Sequence, residues 1–366
     1  MEAIWALSRS LLAFVLSLGI LIFIHEFGHF LAAKLFKVKV ERFSLGFGPR
    51  LVGKQVGDTD YRISAFPLGG YVKMLGESTD EEIPEDLKPV SFSHQPLRNR
   101  VIIVAAGPSF NLLLAVFLYA MIFGLFGLAK TTTDIGSVTP DSPAASAGLQ
   151  QDDKVLAVNG TPVKEWGDLS QLIQESGGKP IELKVLRGDK IFTVEVTPQI
   201  KETKTILGEK IRRPLIGIVA SSNVMVQKIN PFKAGYYAVT QTIGMIKLTF
   251  VVLGKLIVGA ISPRTLAGPI GIAQMSGEVA KAGPLAFLSF LAILSINLGI
   301  LNFLPIPILD GGHLLFFSIE GIMGKPVSIR KRELAQQVGL FLLIALMVFV
   351  FYNDIYRLIS PGQGLP

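Results

Sequence analysis

The chain has 366 residues, 50% of them hydrophobic, a net charge of +7 and a mean hydropathy of +0.50. That is too apolar for an ordinary soluble protein, yet long enough to carry a water-soluble part beside its membrane spans. Cysteine is absent, which excludes disulfides and thiolate metal ligands together and leaves His, Asp, Glu and Asn to hold any metal. Basic residues beside apolar spans fix orientation in a membrane, so the positive charge is no argument for nucleic acid.

Arg9 followed by LLAFVLSLGILIFI begins like a secretory signal. No small-residue cleavage site follows and the apolar run continues to Phe36, so it reads as a retained span over roughly 10 to 33. Inside it stands HEFGH, residues 25 to 29. Ionisable groups at membrane depth are expensive, and they mark working sites. On a helix, residues four apart share a face, so His25 and His29 can meet one metal ion with Glu26 beside it. Two imidazoles on neighbouring turns suit Zn²⁺, and Glu26 is placed to take a proton from a water whose pKa the ion lowers towards about 7.

From Lys34 to Arg100 the chain is rich in Lys and Arg, which assigns this loop to the cytoplasmic side. Within it, FSLGFGPRLVGKQVGDTDYRISAFPLGGYVKML alternates apolar residues around Gly46, Gly48, Gly69 and Gly70, the pattern of β-hairpins at the inner membrane face. The STDEEIPEDL stretch that follows reads as a solvated acidic loop. A second span is expected over 101 to 128, and it contains GPSFN, residues 107 to 111.

Residues 133 to 200 change character, with short alternating strands around a helical DLSQLIQES. The stretch from 236 to 261 is long enough to span but carries Gln241, Lys247 and Lys255. A fifth crossing would also put the two basic clusters on opposite sides, so an amphipathic helix at the outer surface is expected. Spans over 285 to 304 and 335 to 352 flank Lys325, Arg330, Lys331 and Arg332. With four spans, both basic clusters face the cytoplasm, and both termini and residues 129 to 284 face outward.

Between the last two spans, NFLPIPILDGGH occupies residues 302 to 313. Pro305 and Pro307 remove backbone donors and prevent a regular helix, so Asp310 is presented from irregular backbone facing protein rather than lipid. Asp310 is the expected third ligand, with His313 as runner-up or supporting partner; of the other histidines only His94 remains, in the hydrophilic loop. Helix rise puts His25 about 15 residues, roughly 22 Å, along a span that enters from outside. The third span enters from the same side and meets Asp310 just past its end, so both sets of ligands reach the inner half of the bilayer.

HEFGH in the first span, SPAASAGL followed by DKVLAVNG, and NFLPIPILDGG together resemble the site-2 protease family of intramembrane zinc metalloproteases, most nearly its bacterial regulator-of-sigma-E branch. The likeness covers nearly the whole chain. SPAASAGL…DKVLAVNG resembles a PDZ domain, with Asp152 where such domains commonly have Gly; Gram-negative relatives usually carry two such domains, and one is recognisable here. The resemblance implies zinc held by His25, His29 and Asp310, with Glu26 as general acid/base. It implies that Asn302 and Asn297 bind substrate backbone or help steady the reaction intermediate, against a plain helix-end cap before Pro305 for Asn302, and that the hairpins with Gly69 and Gly70 offer a strand edge to an unwound substrate. GPSFN also resembles a family motif, whose Pro108 and Asn111 support the site or serve packing.

The expected fold is a polytopic α-helical membrane protein of about four transmembrane helices, with a membrane-associated β-hairpin region and an inserted extracytoplasmic PDZ-like α+β domain. Its parts are 1–128 (two spans and the hairpin loop), 129–200 (PDZ-like), 201–284 (connector with the interfacial helix) and 285–366 (the last two spans). The implied function is Zn²⁺-dependent cleavage of single-span membrane proteins in the bacterial inner membrane, anti-sigma-factor-like substrates or signal-peptide remnants trimmed first by another protease. The alternative is a catalytically silent PDZ scaffold with a structural metal, which has no need of Glu26. A metal transporter would require more ionisable residues at midspan.

Overall fold

A computed structural model describes residues 2–77, 82–204 and 210–359; these fall into two compact units, the first made of described residues within 1–122, 231–254 and 262–359 and the second of those within 123–230 and 255–261.

The first unit begins with α1 (Glu2–Leu35), predominantly apolar apart from its two ends and the HEFGH motif. Two long strands follow, β1 (Val40–Val56) and β2 (Thr59–Met74). Each folds back on itself at glycines. Gly46 and Gly48 bend β1 at φ +89° and +88°, and a Cβ on Gly46 would lie 2.8 Å from the Phe66 carbonyl oxygen. The register makes four segments of two strands: Phe43 pairs with both Tyr61 and Val72, while Val52 pairs with Ile63. The spatial order is therefore 50–56, 59–64, 42–45, 70–74. Segment 70–74 is an edge. The Gly-rich pattern thus yields the expected hairpins, curled into one sheet.

Of the acidic stretch, residues 78–81 lie outside the described residues, and Glu85–Val90 form a 3₁₀ turn rather than a plain loop. Next comes α2 (Leu97–Phe126). It comes within 2.6 Å of where a Cβ on Gly28 would sit, at the Ala106 carbonyl oxygen, so the second variable position of HEFGH is filled by the residue that lets two backbones meet. Ala33, Val40, Phe43, Val72, Ile103 and Phe317 form the buried core behind this contact.

The second unit contains β3 (Leu128–Thr131), β4 (Ile135–Val138), α3 (Pro143–Ser146), β5 (Lys154–Val158), β6 (Thr161–Pro162) and α4 (Trp166–Glu175). It continues with β7 (Ile181–Arg187), β8 (Lys190–Val196), β9 (Gln199–Lys204), β10 (Lys210–Leu215), β11 (Ile218–Ala220) and β12 (Val224–Gln227). The main sheet runs β6-β5-β7-β8, and β4 pairs with β11. Alternation along β7 sends Ile181, Leu183 and Val185 inward against Leu169 of α4, and Ile216 joins them from beyond residue 200. Asp152 takes φ +67°, the left-handed conformation anticipated for the residue in the glycine position. Asp153 is fully buried and bonded to Arg187.

The chain then forms α5 (Pro231–Ile257), α6 (Pro269–Ala282), α7 (Pro284–Phe303), α8 (Asp310–Met323) and α9 (Ile329–Ile359). Five helices, α1, α2, α5, α7 and α9, are long and apolar enough to cross a membrane, and α5 is the least apolar of them. The helices α6 and α8 were not foreseen in the sequence. α6 packs on α1, where Gly277 leaves room for Ser10. The Asp354 carboxylate of α9, 2% exposed, accepts from the Gly268 and Gly271 amides at 3.0 and 2.9 Å, and Arg357 donates to the Arg264 and Leu266 carbonyls. Both prolines act as expected: α7 stops at Phe303, residues 304–309 are irregular, and helix resumes at Asp310.

Candidate metal centre

Helix α1 offers His25 and His29 from successive turns, and α8 opens with Asp310. Irregular backbone delivers this aspartate, but the residue itself stands in the first turn of a helix, where the N-terminal dipole favours a carboxylate. Gly311 and Gly312 press against the backbone of residues 303 to 307, space that side chains would need, and this fixes the turn that aims it.

The Nε2 atoms of His25 and His29 are 3.2 Å apart, and Asp310 Oδ2 lies 3.0 Å from the first and 3.4 Å from the second. Ligand atoms about 2.0–2.2 Å from a tetrahedral zinc ion are themselves about 3.3 Å apart. The triangle has that size. Asp310 Oδ2 is buried and meets no donor in hydrogen-bonding geometry, although two imidazoles stand at contact distance. Three donor atoms thus surround one point, and the residues fit zinc.

Helix α2 orients the ring of His29. Its Nδ1 donates to the Ile103 carbonyl oxygen at 2.9 Å, which leaves Nε2 as the inward atom. The ring rests directly on Gly107, whose missing side chain makes the room. His25 Nδ1 lies 3.2 Å from the Asn111 amide. The sequence motif GPSFN therefore supplies both the floor under one imidazole and a neighbour for the other.

Glu26 lies next to the triangle, under the sheet edge. A Cβ on Gly70 would sit 3.1 Å from Glu26 Cγ, and the Val72 backbone N–H lies beside the Glu26 carboxyl. Gly69 packs flat against the Phe47 ring, in space a side chain would fill. A cavity of about 830 Å³ opens onto the site, walled in part by Glu77, His94, His313 and Arg332. His313 lies in that wall and contributes no atom to the triangle. His94 bonds to Ser91 and Ser93. The Arg100 guanidinium grips the Glu320 carboxylate at 2.5 and 3.2 Å and so ties α2 to α8, the helix that begins with Asp310.

The two asparagines are engaged elsewhere. Asn302 Nδ2 donates to the Leu298 carbonyl oxygen at 3.1 Å, and Asn297 Oδ1 accepts from Thr249 of α5 at 3.1 Å. Sequence reasoning missed Ile103, which acts through its backbone and leaves no trace in residue type. It also missed the Arg100–Glu320 pair, whose partners are more than two hundred positions apart.

Residues 13–346 match the sequence profile of peptidase family M50. The chain belongs to that family. This M50 peptidase is 37% identical over 361 residues to a protein named as a zinc metalloprotease in Mesorhizobium japonicum, covering 95% of the chain and 98% of the relative. A zinc metalloprotease by name from Rickettsia conorii is 38% identical over 359 residues, 96% of this chain and 99% of that one. The regulator of sigma E protease of Salmonella typhimurium is 31% identical over 452 positions, 95% of this chain and 99% of that one. Among solved structures, the PDZ domain of an SdrC-like protein from Listeria monocytogenes aligns with 25% of the chain at 22% identity, covering 87% of that domain with a TM-score of 0.21. Family, relatives and donor set agree that this M50 peptidase is a membrane-embedded zinc metalloprotease.

Proposed function

We propose that this M50 peptidase hydrolyses peptide bonds within the transmembrane segments of single-span membrane proteins, at a site in the cytoplasmic half of the bilayer. One observation carries the reading: three ligand atoms from α1 and α8 converge at 3.0 to 3.4 Å inside apolar helices, with a carboxylate beside them. His25, His29 and Asp310 hold the zinc. When bound, the ion supplies Lewis acidity towards a water and towards the scissile carbonyl. Glu26 takes the proton from the attacking water and passes it to the leaving amide nitrogen.

A peptide bond inside a transmembrane helix is shielded by its own hydrogen bonds, so the substrate unwinds before attack. Segment 70–74 receives it. Its outer edge runs beside Glu26, and an extended substrate adds there as a further strand, the Val72 and Met74 amides exchanging their carboxylate partners Glu26 and Glu77 for substrate carbonyls. Asn302 and Asn297 exchange their present partners for freed substrate amides. The four-span topology sets residues 34–100 in the cytoplasm and the PDZ-like domain outside. Substrates reach the site after another protease has trimmed their external part, as anti-sigma-factor-like proteins or signal-peptide remnants. The name of the sigma E protease relative supports this substrate class.

The test uses purified protein in lipid nanodiscs with a single-span substrate. Glu26→Gln should keep zinc and lose turnover by about 10²- to 10⁴-fold, the usual contribution of a positioned acid/base. Asp310→Asn should lose zinc. Cleavage at wild-type rate by Glu26→Gln would end this mechanism.

A further inference from the structure

We propose that Asn111 is a positioning residue: its buried side chain accepts the Nδ1 proton of His25 and so fixes the tautomer in which Nε2 is free to bind zinc. The inference rests on the zinc reading above. His25 points Nε2 at Asp310 and His29. A neutral imidazole that ligates through Nε2 carries its proton on Nδ1, and that proton needs an acceptor. The group at this position is the amide of Asn111, 3.2 Å away and 0% exposed.

The amide has one spare end. Nδ2 faces the ring, while Oδ1 is buried with no hydrogen-bond partner. The two ends of an amide have the same shape, and only their partners distinguish them. A half-turn about the terminal torsion brings the orphaned oxygen onto Nδ1–H, the arrangement that the ligating tautomer requires. His29 already has the equivalent bond, from Nδ1 to the Ile103 carbonyl, so α2 orients both imidazoles from behind.

Asn111 also has a packing role, and it is separable. The Ser295 hydroxyl of α7 donates to the Asn111 backbone carbonyl at 2.7 Å, a bond that no Asn111 side-chain substitution removes. Leucine matches asparagine in size without an acceptor, and aspartate offers an acceptor oxygen in the same place.

Zinc affinity is measured by chelator competition in nanodiscs, on wild type, Asn111→Leu, Asn111→Asp and Ser295→Ala. Asn111→Leu should lose 10- to 100-fold in affinity, the usual effect of removing a ligand's outer partner. Asn111→Asp and Ser295→Ala should stay close to wild type. Wild-type affinity in Asn111→Leu, or an equal loss in Asn111→Asp, overturns the proposal. A readout free of any folding defect comes from ¹⁵N-histidine NMR on the zinc-loaded wild type, in a chain with only four histidines. His25 should carry its proton on Nδ1, and a proton on Nε2 overturns the proposal. If wild type binds no zinc, the metal reading itself has failed; if it binds zinc and Asn111→Leu is indifferent, only the role of Asn111 has.

Discussion

Replacing Gly107 with alanine adds a single methyl group, and the structure specifies where it lands. The new Cβ would stand 2.6 and 2.8 Å from Cε1 and Cδ2 of the His29 ring and closer still to Nε2. Carbon atoms in comfortable contact are about 3.5–4.0 Å apart, so the ring has to retreat by roughly 1 Å. That retreat takes Nε2 out of a triangle whose sides at this corner are 3.2 and 3.4 Å. Misplacement of about 1 Å in a catalytic constellation costs on the order of 100-fold in rate. Zinc content by elemental analysis and cleavage of a single-span substrate should therefore fall together. The control is Gly124→Ala in the same helix, where a Cβ meets nothing within 4 Å and the change is neutral or slightly stabilising. Full zinc content and wild-type cleavage in Gly107→Ala would refute the placement of His29 against α2.

Two further predictions concern the second unit and the topology. Burial alone would raise the Asp153 carboxyl, but the hydrogen bond from Arg187, the Gln150 amide and the nearby guanidinium charge together hold it below the ordinary carboxylate value. A depressed folded-state pKa contributes stability above the unfolded value near 3.9, and that contribution disappears as pH falls through the folded value. Thermal unfolding of the unit should lose stability below about pH 4, and Asp153→Asn should flatten this acid limb; an unchanged limb contradicts the assignment. Because the chain lacks cysteine, single cysteines at Glu85 and Asp189 can be labelled cleanly in intact vesicles. The four-span topology requires them to react from opposite sides, and reaction from the same side overturns it.

The parts of the site that are residue types at fixed spacing were legible in the sequence. HEFGH names His25, Glu26 and His29 because a helix repeats nearly every four residues, and PIPILDGG marks Asp310 because two prolines must interrupt a helix. The curled sheet was legible only as hairpins: glycines reveal that β1 and β2 bend, but not that segment 42–45 serves as centre to two partners at once. Helix α8 escaped notice because the prolines and glycines before it speak only of interruption, and the resumption of helix at Asp310 depends on close backbone packing at Gly311 and Gly312. Ile103 could not be read at all, since its contribution is a carbonyl that every residue possesses.

The bond from Asp354 to the start of α6 has a consequence for how the helices part. Drawing α9 away strips one carboxylate and two amides of their partners in a single step, at a place almost sealed from solvent. Each orphaned group costs several kcal/mol where no water can replace the partner. A half-open seam would bear most of that penalty with none of the relief, so this contact holds α6 against α9 as a single unit rather than by independent bonds.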